Sequence, residues 1–420
     1  MKNPSGKADR ADCLSLRAAA LIIMITPLLM IAAREIPATL LIIVTLVLGA
    51  AGWRTGHFCA VGQDLIKTLT HPAGWAFIAL VVLMLASLAW SPALARGAEH
   101  VLHFAGAILL AGISIAMTMR LRAHFNSSIA ALALFSAAGL LATDLWLFSS
   151  LREALFLSTE VHRLNRAAVA ITLYLPLATA LLVAERRTAL LGVLWVSGIA
   201  AVVLSTSNSA KLALIMTVLV LPITVALPRI MNRLTMFALP LTVLTMPWIA
   251  SVANSLAPAR VHESVGYGSL TIRGEIWQET IPFIWQKPFF GWGIEASHVL
   301  PHLPEAAHLT RVQRDLLNWG HTHNAPLQIW LELGAVGAAL AAAALYFGIR
   351  ALRVLPPSLL PYATITILAA FAVACVSPGA WQAWWWALLG LIAVAYAMAI
   401  AARFADALRR ADESGAEPSK

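Results

Sequence analysis

Charge is scarce in this sequence. Asp, Glu, Lys and Arg make up 12% of its 420 residues, and hydrophobic residues make up 60%; an ordinary soluble domain carries about 25% charged residues. With a mean hydropathy of +0.80, that shortage excludes a water-soluble globular enzyme and points to one polytopic membrane domain. Cysteine is nearly absent. Cys13, Cys59 and Cys375 fall in a tail, a loop and an apolar run. No two have metal-ligand or obvious disulfide spacing, so they read as packing or incidental residues. Also missing are G-x-x-x-x-G-K-[ST], H-E-x-x-H, Asp-x-Asp and G-x-S-x-G. Nucleotide hydrolysis and metal-dependent chemistry are left without their usual residues.

What is abundant is apolar sequence. Windows of spanning length fall near 16–33, 36–52, 74–91, 99–118, 128–148, 167–184, 189–205, 210–227, 234–253, 325–347, 359–377 and 382–402. The expected fold is therefore an all-α polytopic membrane protein with about 12 transmembrane helices. One large periplasmic loop containing helices is expected between spans nine and ten. The implied segments are a cytoplasmic tail over 1–15, spans one to nine over 16–253, the loop over 254–324, spans ten to twelve over 325–402, and a cytoplasmic tail over 403–420. No small-residue cleavage site closes the first apolar run before Arg34, so it reads as a retained span rather than a signal peptide.

Placing both termini in the cytoplasm puts 18 of the 29 Lys+Arg on that side and 11 outside, in keeping with the positive-inside bias. The outward minority includes Arg152, Arg163, Arg166, Lys211, Arg260, Arg273, Lys287, Arg311 and Arg314. Basic groups beside a bilayer are costly unless something anionic meets them. Two readings stay open: several converge on one polyanion, or they bind lipid headgroups and pair with Glu153, Glu160, Glu263 and Glu275.

The long polar stretch from Leu256 to Ala325 holds most of the remaining signal. Thr271 to Gln286 spaces Ile272, Ile276, Glu279 and Phe283 on one helical face, which predicts an amphipathic surface helix with Trp277 and Trp285 at headgroup depth. Pro282 is expected to kink or split it, and Phe290-Gly291-Trp292-Gly293 to follow as a turn. A second helix is expected around Ala306 to Leu317, and then Gly320-His321-Thr322-His323-Asn324 leads into the tenth apolar run, with Pro326 near its start.

Arginine presents a planar fork that fits phosphate bidentately, and a cluster of arginines favours a diphosphate gathering charge as it leaves. A neighbouring histidine can accept a hydroxyl proton near neutral pH. An anionic leaving group, a hydroxyl nucleophile and a base together suit glycosyl transfer from a lipid diphosphate. The alternative for His321 and His323 is a purely structural role, capping span ten and bonding to the loop.

Gly320-His321-Thr322-His323-Asn324, followed by Leu327-Gln328-Ile329-Trp330-Leu331-Glu332-Leu333-Gly334, resembles the signature of the O-antigen ligase and polymerase superfamily. Arg273-Gly274-Glu275-Ile276-Trp277 and Pro288-Phe289-Phe290-Gly291-Trp292-Gly293 resemble that family's second block, an arginine and tryptophan followed by P-x-x-G-x-G. Family members often carry Ser-Arg at the outer end of span eight, where this chain has Ser209-Ala210-Lys211; lysine keeps the charge and loses the fork.

The resemblance implies an inner-membrane ligase, working at the periplasmic face without cofactor or metal. It would move a finished glycan from undecaprenyl diphosphate to lipid A–core with inversion. On that reading His323 is the base or the group that orients the acceptor, His321 its support and Arg273 the first diphosphate contact. Arg166, Arg163, Lys211, Arg260, Asn324 and Trp277 complete the substrate-binding set. The Trp277 and Trp285 face is expected to line a lateral opening for the two lipids. Partners are the lipid-linked O-antigen, lipid A–core and membrane lipids, with no nucleic acid, and a monomer or weak oligomer is expected. An O-antigen polymerase or a protein O-oligosaccharyltransferase would use the same donor. A lipid-linked glycan transporter is the competitor from another class, though the chain shows none of the repeats expected of one.

Overall fold

The computed structural model describes residues 5–121, 127–256 and 270–414, and every described element is helical. The first part runs α1 (Ser5–Ala32), α2 (Pro37–Arg54), α3 (Phe58–Leu69), α4 (Pro72–Ser87), α5 (Leu94–Leu121), α6 (Ser127–Trp146), α7 (Ser150–Ala154), α8 (Asn165–Ala184), α9 (Thr188–Leu204), α10 (Asn208–Ala226) and α11 (Pro228–Leu256). Then come α12 (Leu270–Gln286), α13 (Arg311–Leu317), α14 (Ala325–Ala351), α15 (Leu360–Ala374) and α16 (Ala383–Ser414). Each apolar window of the sequence coincides with a helix, because a backbone in lipid must satisfy its own polar groups.

Among the described residues, nine helices are long and apolar enough to cross a membrane. The pair α3 and α4, bent by 80° at its break, makes a tenth if taken as one span. The expected twelve is therefore not reached by this measure. Two of the windows fold as shorter apolar helices, Thr188–Leu204 and Leu360–Ala374. Polar punctuation trims them: Arg186, at a left-handed φ of 57°, stands just before α9, and Pro356-Pro357 precede α15.

Helix α8 is the most enclosed span, with 83% of its apolar window buried. It packs against α1, α6, α9, α10 and α15, and so fixes the position of Arg166 in its first turn. Alternate connections of the bundle meet at one end. Arg166 there pairs with Glu35 of the α1–α2 turn. The Thr206 hydroxyl donates to Asn165 Oδ1 at 2.9 Å. The Ser91 hydroxyl donates to the Ile294 carbonyl at 2.6 Å, and Arg96 Nε to Glu295 Oε2 at 2.6 Å. The described part of the long polar stretch, residues 270–325, lies at this same end.

The two sequence blocks beside the long loop form one joint. Gly334, at φ 65°, breaks the helical path of α14. The break frees backbone groups that pair with the Pro288–Gly293 turn. Trp292 N donates to Leu331 O at 3.0 Å and Gly293 N to Glu332 O at 2.8 Å. In return, Ala335 N donates to Pro288 O at 2.8 Å and Val336 N to Phe289 O at 3.1 Å. The backbones touch so closely that only glycine fits. A Cβ on Gly334 would lie 2.3 Å from the Phe289 carbonyl carbon, and one on Gly291 2.4 Å from that of Glu332. We expect Gly334→Ala to cost at least about 1–3 kcal/mol from backbone strain alone, read as a lower melting temperature in detergent. An unchanged melt would mean the joint is looser than drawn.

Candidate active site

The His321–His323 turn is held from three sides. From below, Asn324 caps α14, its Oδ1 accepting from Leu327 N at 3.0 Å while its Nδ2 donates to Met246 Sδ at 3.3 Å. From the loop, Trp277 Nε1 donates to the Thr322 carbonyl at 2.8 Å. From the link between α15 and α16, the Ser377 carbonyl accepts from His323 Nδ1 at 3.1 Å. His323 itself sits at φ 51°, a conformation that costs a non-glycine residue energy and that concentrates at functional sites.

These bonds assign the histidine tautomers. A carbonyl only accepts, so His323 Nδ1 carries the hydrogen and its Nε2 keeps a free lone pair. His321 Nδ1 accepts from the His323 backbone N–H at 3.1 Å, which puts the His321 hydrogen on Nε2. The two rings lie with centroids 4.0 Å apart. Burial pushes His323 down to about 4, and the Arg273 charge adds to that. Burial likewise takes His321 to about 3, followed by the charges of His323, Arg166, Arg273 and Arg96. Both rings are therefore neutral at physiological pH.

The sequence-chosen cations divide. The charges of Arg273 and Arg166 both bear on His321, and that of Arg273 on His323 as well. Arg273 lies in the first turn of α12, and burial lowers its guanidinium below the ordinary arginine value. Arg166 is held by Glu35 and by Trp384, whose ring centre lies 4.5 Å from the guanidinium carbon. Lys211 stands in the first turn of α10.

Arg163 is instead exposed and paired with Glu160 at 3.1 Å. Arg152 is buried against Asp144 at 2.7 Å and serves the fold. Arg311 pairs distantly with Asp315 at 3.9 Å, Arg314 donates to the Leu309 carbonyl at 2.9 Å, and Lys287 Nζ lies 3.7 Å from the Trp292 ring centre. Arg260 lies outside the described residues.

Other expectations about the loop shift. Pro282 does not split α12, which runs unbroken from Leu270 to Gln286. The expected 306–317 helix begins only at Arg311, where Thr310 and Gln313 form a capping box. Gln313 Nε2 then reaches Glu279 Oε2 at 2.9 Å, binding α13 to α12. Trp277 is buried behind the histidine turn, whereas Trp285 is 43% exposed and packs on Trp248, so only Trp285 of that pair remains at an outer face.

Three parts of the site carried no readable assignment. Arg96 lies 199 residues from its partner Glu295. Glu332 is buried and accepts five bonds, from Glu295 N, Ser297 N and Oγ, Gln328 Nε2 and Trp381 Nε1, at 2.6–3.4 Å. The 375–382 link forms a wall of the site, Gln328 Oε1 accepting from Ala380 N at 2.9 Å and Gln382 Oε1 from Trp384 Nε1 at 2.7 Å. The available signal was the polar break Ser377-Pro378-Gly379 amid tryptophans.

A family model described as O-antigen ligase matches residues 18–342. That interval holds both sequence blocks and ends before the 375–382 link. No curated protein matches the chain.

Proposed function

Because this chain belongs to the O-antigen ligase family, we propose that it transfers a preassembled glycan from undecaprenyl diphosphate to a sugar hydroxyl of lipid A–core, at the periplasmic face of the inner membrane and without a metal. The observation that carries this reading is the unprotonated Nε2 of neutral His323 lying within the field of Arg273, against a His321 ring that also feels Arg166. The acceptor hydroxyl attacks the anomeric carbon in line. The bond from that carbon to the diphosphate oxygen breaks, its electron pair leaving with the diphosphate, and the hydroxyl proton passes to His323 Nε2. One displacement inverts the centre. Arg273, with Arg166 and Lys211, holds the departing charge; Arg166 reaches it by exchanging or sharing Glu35.

The test is a reconstitution with undecaprenyl diphosphate glycan and lipid A–core, in EDTA, with products resolved by gel. Glycan should appear on the core and disappear with Arg273→Ala. Arg273→Lys should recover only part of the activity, since a point charge replaces a fork. Lengthened donor with untouched core would mean a polymerase, and no covalent product would return the reading to transport.

The histidine environment sets a pH dependence. A base held near 4 in the free enzyme places the acid limb of kcat/KM near pH 4, well below the ordinary histidine value of about 6.5. A bound diphosphate offsets the Arg273 charge and adds its own, so the acid limb of kcat should lie higher. Stability follows a separate course. Above about pH 6.5 both histidines are neutral, folded or unfolded, and contribute nothing. Between there and their folded values of about 4 and 3 the unfolded chain takes up protons the folded one refuses, so stability falls with acidification. Rates normalised to folded protein separate the two effects. An acid limb of kcat/KM near pH 6.5 would contradict the buried neutral base.

A further inference from the structure

The α6–α8 connection is built inside out for water. One ion pair is turned inward, while Glu153 and the Glu160–Arg163 pair stay at the surface: Arg152 and Asp144 are each 2% exposed and joined by two bonds, Arg152 N to Asp144 Oδ1 at 3.0 Å and Nε to Oδ2 at 2.7 Å. The rest of the guanidinium staples the returning strand of chain, donating to the carbonyls of Ser158 at 2.6 Å and Glu160 at 3.1 Å and to Ser149 Oγ at 2.6 Å. The apolar side chains point outward instead. Trp146 is 72% exposed, Phe148 93%, Leu155 67% and Phe156 99%.

The backbone accepts strain to hold them there, with Phe148 at φ 51°, Ser149 at φ 70° and Phe156 at φ 54°. Left-handed geometry is unusual for a bulky residue and persists only where surroundings enforce it. Here the enforcing group is the buried ion pair. Removing two charges from water has a desolvation cost, and a loop facing solvent would gain by the opposite arrangement, charge outward and rings inward.

The geometry points to a wedge: we infer that residues 146–156 insert Phe148, Leu155 and Phe156 into the lipid leaflet on the side of the histidine site. Continuity decides the occupant. Ile129, Leu132, Phe135 and Leu140 form the exposed apolar face of α6, a helix apolar enough to span a membrane, and that face runs into Trp146 and the loop. Aromatic groups at such a junction sit at the interface, with apolar neighbours reaching the acyl region. The wedge flanks the start of α8, where Arg166 stands, so it orders lipid beside the cationic end of the bundle.

Spin labels on Phe148→Cys and Phe156→Cys test this, in full-length protein with Cys13, Cys59 and Cys375 replaced by serine and reconstituted in phosphatidylethanolamine–phosphatidylglycerol vesicles. Collision with oxygen should exceed collision with a water-soluble nickel chelate at both sites, and the reverse should hold at Arg311→Cys, whose native side chain is 94% exposed. Two results would each overturn the wedge. Nickel access exceeding oxygen access at 148 and 156 would put the loop in water. Labels immobilised and shielded from both reagents would mean a protein surface, a second copy of this chain, covers the loop. Label mobility at two positions guards against one misfolded variant, and the readout is independent of any enzymatic activity.

Discussion

Alanine at His323 is expected to reduce glycan transfer by about 10²–10⁴-fold, the usual worth of a positioned general base. The argument rests on one lone pair. Ser377 O fixes the hydrogen on Nδ1, leaving Nε2 free for an acceptor hydroxyl. Alanine at φ 51° adds a backbone penalty unconnected with the chemistry, so His323→Asn is the sharper companion. Asparagine tolerates the left-handed region and offers no base of comparable strength. Transfer should collapse in both variants, and His323→Asn should melt near the wild type. A rate within threefold of wild type in either would remove His323 from the mechanism and leave it as a spacer between the loop and the α15–α16 link.

The second large effect is structural. All five partners of Glu332 are donors, which suits a carboxylate because it only accepts. Leucine at this position would strip the Glu295 and Ser297 backbone N–H groups and Trp381 Nε1 of their acceptor, at about 1–3 kcal/mol each, and little folded protein is expected to survive detergent extraction. Glutamine keeps one acceptor oxygen and turns an NH2 toward groups that also donate, so Glu332→Gln should fold with a melt several degrees lower. Its residual activity should fall mainly through loosened geometry, since Trp381 and Ser297, which lies against the Gly320 carbonyl, both hang from this cluster. A wild-type melt for Glu332→Leu would refute the role.

How much of this was legible depended on distance along the chain. The helices were, because burial in lipid imposes long apolar runs that hydropathy reads directly. The histidine turn and the glycine turn were visible as local patterns, and so were Arg273 and Arg166. What periodicity does not carry is pairing. Arg152 and Arg163 looked like equals of Arg166, yet one is consumed by Asp144 eight residues earlier and the other by Glu160. Arg96 drew no attention because Glu295 is remote in sequence. Asn324 and Trp277 were expected to touch substrate, and the structure places them under the histidine turn, their polar atoms engaged by the protein itself.

The 375–382 link has a consequence for biogenesis. The carbonyl that orients His323 belongs to Ser377, and the indole that lies against Arg166 belongs to Trp384, both downstream of the long loop. A nascent chain that has been made only as far as residue 324 therefore still lacks the groups that set the histidine tautomer. On the proposed function, the reactive centre is completed only when the last helical hairpin has inserted, so translation itself would time the onset of activity, and a truncated product would carry the family's motifs without a working centre.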